Sequence, residues 1–256
     1  MCVPGHWRRA ALVRRWCITV LACAAGPFLI CSNARASEPE TPWFEAGVGA
    51  DVTPHVWLLY SSTTIAPAGD LYGNGLRIRA AGGYGRYTYT GDRNQGPSGG
   101  RMSFDGTVRF SDALVGYLYR WGPLTAKAFA GISFIGHDID PFDPENVVQG
   151  QEYGPKAVVE LWLNMGSDAW GSLDLNWTSA HETYAARLRA GYRVLPTFSA
   201  GIEAGLNGNA EHDNGRGGLF LRYEWVSGEV SVSSGITGDM ADPTNPYVTV
   251  NWLTRF

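Results

Sequence analysis

The sequence predicts an all-β protein, an antiparallel up-and-down transmembrane β-barrel of about twelve strands, with ten and fourteen as the neighbouring counts. Three observations lead there. The last ten residues, Tyr247 to Phe256, alternate with period two, so that Val248, Val250, Trp252 and Phe256 share one face and Thr249, Asn251 and Arg255 the other. Similar alternating segments recur from Trp43 onward, joined by connections that are short and long in turn. Composition supplies the third: 45% apolar residues and 12% aromatics combine with a mean hydropathy close to zero. Beyond the first 36 residues no stretch offers the ~20 apolar residues of a spanning helix, and 33 glycines disfavour long helices.

At the start of the chain, Arg8, Arg9, Arg14 and Arg15 precede an apolar run from Trp16 to Ile30, and Ala34-Arg35-Ala36 has the small-x-small form of a cleavage site. Residues 1–36 therefore read as a signal peptide and 37–256 as the barrel. Cys2, Cys17, Cys23 and Cys31 all fall in the leader, which leaves an exported chain without disulfides, thiolate metal sites or cysteine nucleophiles. Five of the 20 basic residues go with the leader and none of the 24 acids does, leaving a net charge of about minus nine. Nucleic acid is not an expected partner.

Alternation places strands near 43–51, 56–66, 75–90, 101–121, 124–138, 151–164, 169–179, 184–194, 197–208, 215–225, 229–237 and 246–256. The period is plainest where Leu173, Leu175 and Trp177 oppose Ser172, Asp174 and Asn176, and where Leu219, Leu221 and Tyr223 oppose Arg222 and Glu224. Register in the first two segments stays open. Gly122-Pro123, Leu195-Pro196 and Ser227-Gly228 are short connections, whereas 91–100, 139–150, 209–214 and 238–245 are long and polar. Tight periplasmic turns at one end and longer loops at the other are a barrel's arrangement. Trp43, Trp57, Trp121, Trp170, Trp225 and Trp252 lie near strand ends, where indoles form an aromatic girdle at the two lipid interfaces.

The faces opposite the apolar ones carry Lys127, Lys156, Glu160, Asp174, Arg187, Arg189, Arg193, Glu203, Arg222 and Glu224, with Trp162 as an inward aromatic platform. These line the lumen, as a path for a polymer or an ion or as a structural network. No catalytic residue, metal site or cofactor is assigned. Ser179, His181 and Glu182 are the best enzyme candidates, for a lipid-modifying barrel, yet no further group orients the histidine. Asp138, Asp140, Asp143 and Glu145 lack the spacing of a calcium loop and read as solvated. Gly82-Gly83-Tyr84-Gly85-Arg86-Tyr87 lacks the strand-turn-helix setting of a phosphate loop and reads as strand glycines making room for rings.

The final strand, with Val248, Val250, Trp252 and Phe256, resembles the closing strand of bacterial outer-membrane barrels, whose insertion machinery reads a terminal aromatic; Thr254 departs from that pattern. Ordered motifs add a second resemblance. They are Gly75 to Tyr89, Val115-Gly116-Tyr117, Asp143-Pro144-x-Asn146-x-Val148-x-Gly150 with Gly154-x-Lys156, Thr183-Tyr184-x-x-Arg187-Leu188-Arg189-x-Gly191-Tyr192, and Gly201-x-Glu203-Ala204-x-Leu206-x-Gly208-Asn209. In this order and spacing the chain resembles the BcsS-type cellulose biosynthesis protein family of alphaproteobacteria, although His181-Glu182 stands where that family has Phe-Asp. The resemblance implies a non-enzymatic envelope protein assisting cellulose biosynthesis, export or extracellular assembly. Its implied partners are cellulose and other cellulose-synthesis components; the barrel reading and its closing strand add outer-membrane lipid and the barrel-insertion machinery. A polysaccharide-binding sandwich, a lipid-modifying barrel and a general porin are the alternatives.

Overall fold

Period-two alternation over twelve segments produces twelve strands, because one face of each can meet lipid while the other closes around a polar interior. The structure, a computed structural model, describes residues 41–93, 100–239 and 242–256. The expected leader lies outside them. The strands are β1 (Phe44–Val52), β2 (Val56–Ile65), β3 (Gly75–Arg93), β4 (Gly100–Trp121), β5 (Leu124–Asp140), β6 (Gly150–Met165), β7 (Ala169–Thr178), β8 (Tyr184–Leu195), β9 (Phe198–Gly208), β10 (Asp213–Trp225), β11 (Gly228–Asp239) and β12 (Asp242–Arg255). Each pairs antiparallel with its sequence neighbours, and β1 pairs with β12 from Glu45↔Arg255 to Val52↔Val248, so the sheet has no free edge. Closure removes the unpaired N–H and C=O groups that lipid could not satisfy.

An even strand count puts both termini at one end, with the turns after β4, β6, β8 and β10. This is the periplasmic end by the rule of short turns. Loop length, however, segregates less cleanly than the sequence suggests. β3 and β4 run to 19 and 22 residues, about twice the ~9–11 that cross a bilayer, and they take residues 91–93 and 100 of the expected 91–100 loop into strand. The expected 238–245 loop shrinks likewise to the residues between β11 and β12. At the first hairpins the order reverses, with a short outer connection at 53–55 and a long periplasmic one at 66–74. That periplasmic loop is long because it folds inward. Ala66 and Leu71 are buried, and the guanidinium of Arg77, itself 1% exposed, donates to the carbonyls of Asp70 at 2.9 Å and Gly73 at 2.6 Å.

Outside, Val48, Leu59, Ile78, Val115, Ile132, Leu188, Ile202 and Leu219 are exposed, forming the lipid-facing belt. Trp43, Trp121, Trp225 and Trp252 stand at the periplasmic edge, Trp225 and Trp252 with ring centroids 5.2 Å apart. Trp57 stands at the outer edge with Trp177 and Tyr153. Trp170 is the correction to the girdle. It points into the barrel, is 1% exposed, and stacks on Trp162 at 4.2 Å. Its parity is that of Ser172 and Asp174, and Gly191 on β8 leaves it room: a Cβ there would lie 2.4 Å from the indole. Gly83 gives Phe110 the same clearance, in keeping with strand glycines that accommodate rings.

Candidate functional site

The interior divides into a vestibule, a braced midsection and a covered outer mouth. The vestibule, about 830 Å³, is lined at its edge by Gly122, Pro123 and Val226 of the periplasmic turns and deeper by Tyr60, Ser62, Ser172 and Asn251. Its charged walls contain most of the expected lumen residues. Glu160 accepts from Arg79 and lies 3.2 Å from Lys127 Nζ, while Arg187 meets Asp174 at 3.1 Å. Arg222 reaches Glu224 at 2.9 Å and also pairs with Glu229, and Arg255 pairs with Glu45 at 2.9 Å. Arg193 instead donates to the Ser167 carbonyl and to Asn164 Oδ1.

Trp162 is inward as expected, but it is no open platform. Trp170 covers it at an interplanar angle of 17°, and the Arg222 guanidinium sits 4.7 Å from its ring centroid. Aromatic faces here hold an arginine across the lumen, from β10 to β6 and β7. Buried Arg222 Nη1 and Arg189 Nη2, which have no oxygen partner, belong to guanidinia lying against rings, Arg189 over Phe220 at 5.1 Å.

Above the vestibule, side chains from separated strands meet. Lys156 on β6 binds Asp112 on β4 at 2.7 Å, and Ser133 donates to the same carboxylate. Arg189 on β8 binds Glu203 on β9 at 2.9 Å, and Tyr247 on β12 donates to the other Glu203 oxygen at 2.7 Å. Arg216 on β10 reaches Asp51 on β1 at 2.6 Å, which also accepts from Thr249. Tyr247 and Phe220 are each 1% exposed, so this layer is filled. Sequence reasoning missed Arg79, Asp112, Asp51, Arg216 and Tyr247, although extending the same parity into β1–β4 and β10–β12 would have found each.

The outer mouth is bridged by its own loops. Tyr89 donates to Asp143 Oδ2 at 2.7 Å and accepts from Asn146, which draws loop 141–149 onto β3. Val147 N–H donates to Glu211 of loop 209–212, and Ala210 N–H donates to the His181 carbonyl. Asp143 is thus committed to the cover, while Asp138 lies outside near Arg109, so these acids do not converge. Ser179 and His181 do not form a nucleophile and base. His181 Nδ1 lies 3.2 Å from Glu152 and its ring packs edge-on against His137, whereas Ser179 Oγ fills the space above Gly154, 2.1 Å from where a Cβ would be. Both His181 and Glu182 have φ near +50°, a conformation that side chains disfavour, within a short 3-10 turn wedged against β5 and β6.

The family model described as "Cellulose biosynthesis protein BcsS" matches residues 48–256. A search of the curated proteins finds no match. Among solved structures, a TodX monoaromatic hydrocarbon channel mutant aligns with a TM-score of 0.51 at 8% identity, covering 85% of this chain and 90% of that one. The COG4313 outer membrane channel from Pseudomonas putida F1 aligns at 0.49 and 11%, covering 86% and 97%. The transport unit of the autotransporter AIDA-I from Escherichia coli aligns at 0.49 and 10%, covering 90% and 94%. At such identities the likeness concerns the fold of outer-membrane barrels.

Proposed function

The chain belongs to the BcsS family of cellulose biosynthesis proteins, and from that membership we propose that it assists cellulose export or assembly at the outer membrane without catalysing a reaction. Its place is beside the polymer's route, as an accessory barrel facing the periplasm through its vestibule. One observation carries this placement: loops 141–149, 179–183 and 209–212 are hydrogen-bonded together across the outer mouth, above a braced midsection. A glucan threading the bore would have to displace both layers. The same closure argues against a general porin, and the different partners of Ser179 and His181 argue against a lipid hydrolase. Val248, Val250, Trp252 and Phe256 present the apolar face of the closing strand, and in this reading they form the signal for barrel insertion.

The test is cellulose content, outside the cell and within the periplasm, in a strain lacking the gene and in the same strain with it restored. The expected result is reduced or altered extracellular cellulose without periplasmic accumulation, reversed by the restored gene. Unchanged amount, form and location would remove the assisting role. Polymer trapped in the periplasm would instead make the barrel the exit route and overturn its placement beside that route.

A further inference from the structure

The vestibule is of opposite charge to the molecule around it. Nine of its lining side chains are basic and five are acidic, although the chain beyond the leader carries 15 basic residues against 24 acids. Pairing consumes the acids completely. Glu160, Asp174, Glu224, Glu229 and Glu45 are shared among Arg79, Lys127, Arg187, Arg222 and Arg255, and Arg189 holds Glu203 behind the wall. Three arginines remain without a carboxylate partner among the described residues. Arg77 is tied to the carbonyls of the 66–74 loop, but Arg120 and Arg193 stand at the periplasmic rim, flanking the turns at Gly122-Pro123 and Leu195-Pro196.

We propose that this vestibule is a binding site for a small oxyanion-bearing ligand, a carboxylated or phosphorylated sugar, entering from the periplasmic side. A blind, partly enclosed cavity with low-dielectric walls focuses the field of uncompensated charges on whatever enters. Eight of the nine cations are arginines, whose planar forks match carboxylate and phosphate oxygens two at a time. The volume of about 830 Å³ suits a small molecule. Because the midsection is filled, the ligand is held and not passed through. The proposal concerns an anion and does not depend on the cellulose role, which involves a neutral polymer.

The experiment uses the full barrel folded in a non-ionic detergent, with tryptophan fluorescence as the signal, since the inward-facing Trp162 and Trp170 line the cavity. Glucose, glucuronate and glucose 6-phosphate are titrated at one ionic strength. At least tenfold tighter binding of either anionic sugar than of glucose is expected, and the preference between the two identifies carboxylate or phosphate as the recognised group. The double variant R120Q/R193Q, which leaves every ion pair of the wall intact, should lose at least fivefold in anion affinity while keeping the heat-dependent gel mobility of a folded barrel. Absence of saturable binding by either anion, equal binding of glucose, or unchanged anion affinity in the folded double variant would each overturn the proposal.

Discussion

At Trp170, position along the strand and parity within it point in opposite directions, and parity decides. Nearness to a strand end suggests an interfacial indole, but the residue alternates with Ser172 and Asp174 and therefore turns inward, onto Gly191 and Trp162. Gly191→Ala should thus overpack the stack and destabilise the barrel by about 1–3 kcal/mol, seen as a lower temperature for the shift from folded to unfolded gel mobility; an unchanged temperature would mean that the ring moves aside freely. Ion pairs make a second case. Glu160→Gln leaves Arg79 and Lys127 facing each other without their shared carboxylate, and a loss of about 2 kcal/mol is expected for the charged hydrogen bonds. Lys127→Gln should cost less, because Arg79 still compensates Glu160. Most charged inward residues of β5–β10 were legible from alternation, with Trp170 of β7 and Arg216 of β10 the exceptions. Their partners were less so, because pairings such as Arg216 with Asp51 join strands far apart in sequence, and only the closed barrel makes them neighbours.

At the scale of elements, all twelve strands were readable because lipid on one side and a polar lumen on the other enforce the period throughout. Loop conformation was not. The connection at 66–74 is long on the side where turns are short, since it folds over Arg77 as part of the mouth, and no local period signals an arginine binding carbonyls of its own loop. The outer cover is similarly built from contacts between loops. Tyr89→Phe removes the hydroxyl that joins Asp143 and Asn146, so loop 141–149 should be cleaved by added protease at least several-fold faster while the strands remain protected. Equal cleavage would show that the cover does not rest on this residue. The last strand presents its own case. Phe256 is hydrogen-bonded to Trp43 and Phe44 across the seam, with its ring 5.8 Å from Phe44. If Phe256 is part of the insertion signal proposed above, deleting it should lower the amount of assembled barrel in cells more than it lowers the stability of barrel refolded in detergent, where only the seam is lost; equal losses in the two settings would leave the residue with the seam alone.

For the whole molecule, a family membership, a closed twelve-stranded wall and a bore filled above its periplasmic vestibule combine into one account. The fold and the family were within reach of the sequence, through periodicity and through ordered motifs respectively; the closure of the bore was not, since side chains of opposite walls meet only once strand number and stagger are set. A barrel of this size stands between those filled by side chains and those that conduct, so its state is a measurable property. The most direct measurement is the ion conductance of the purified full-length barrel in a planar lipid bilayer. The account predicts no sustained conductance from the wild-type protein, and a rise when the cover and midsection are opened together by Tyr89→Phe with Tyr247→Ala. Steady, large conductance steps from the wild-type barrel would contradict it, because a bore open to ions along its length cannot have the covered outer mouth on which the proposed accessory role depends.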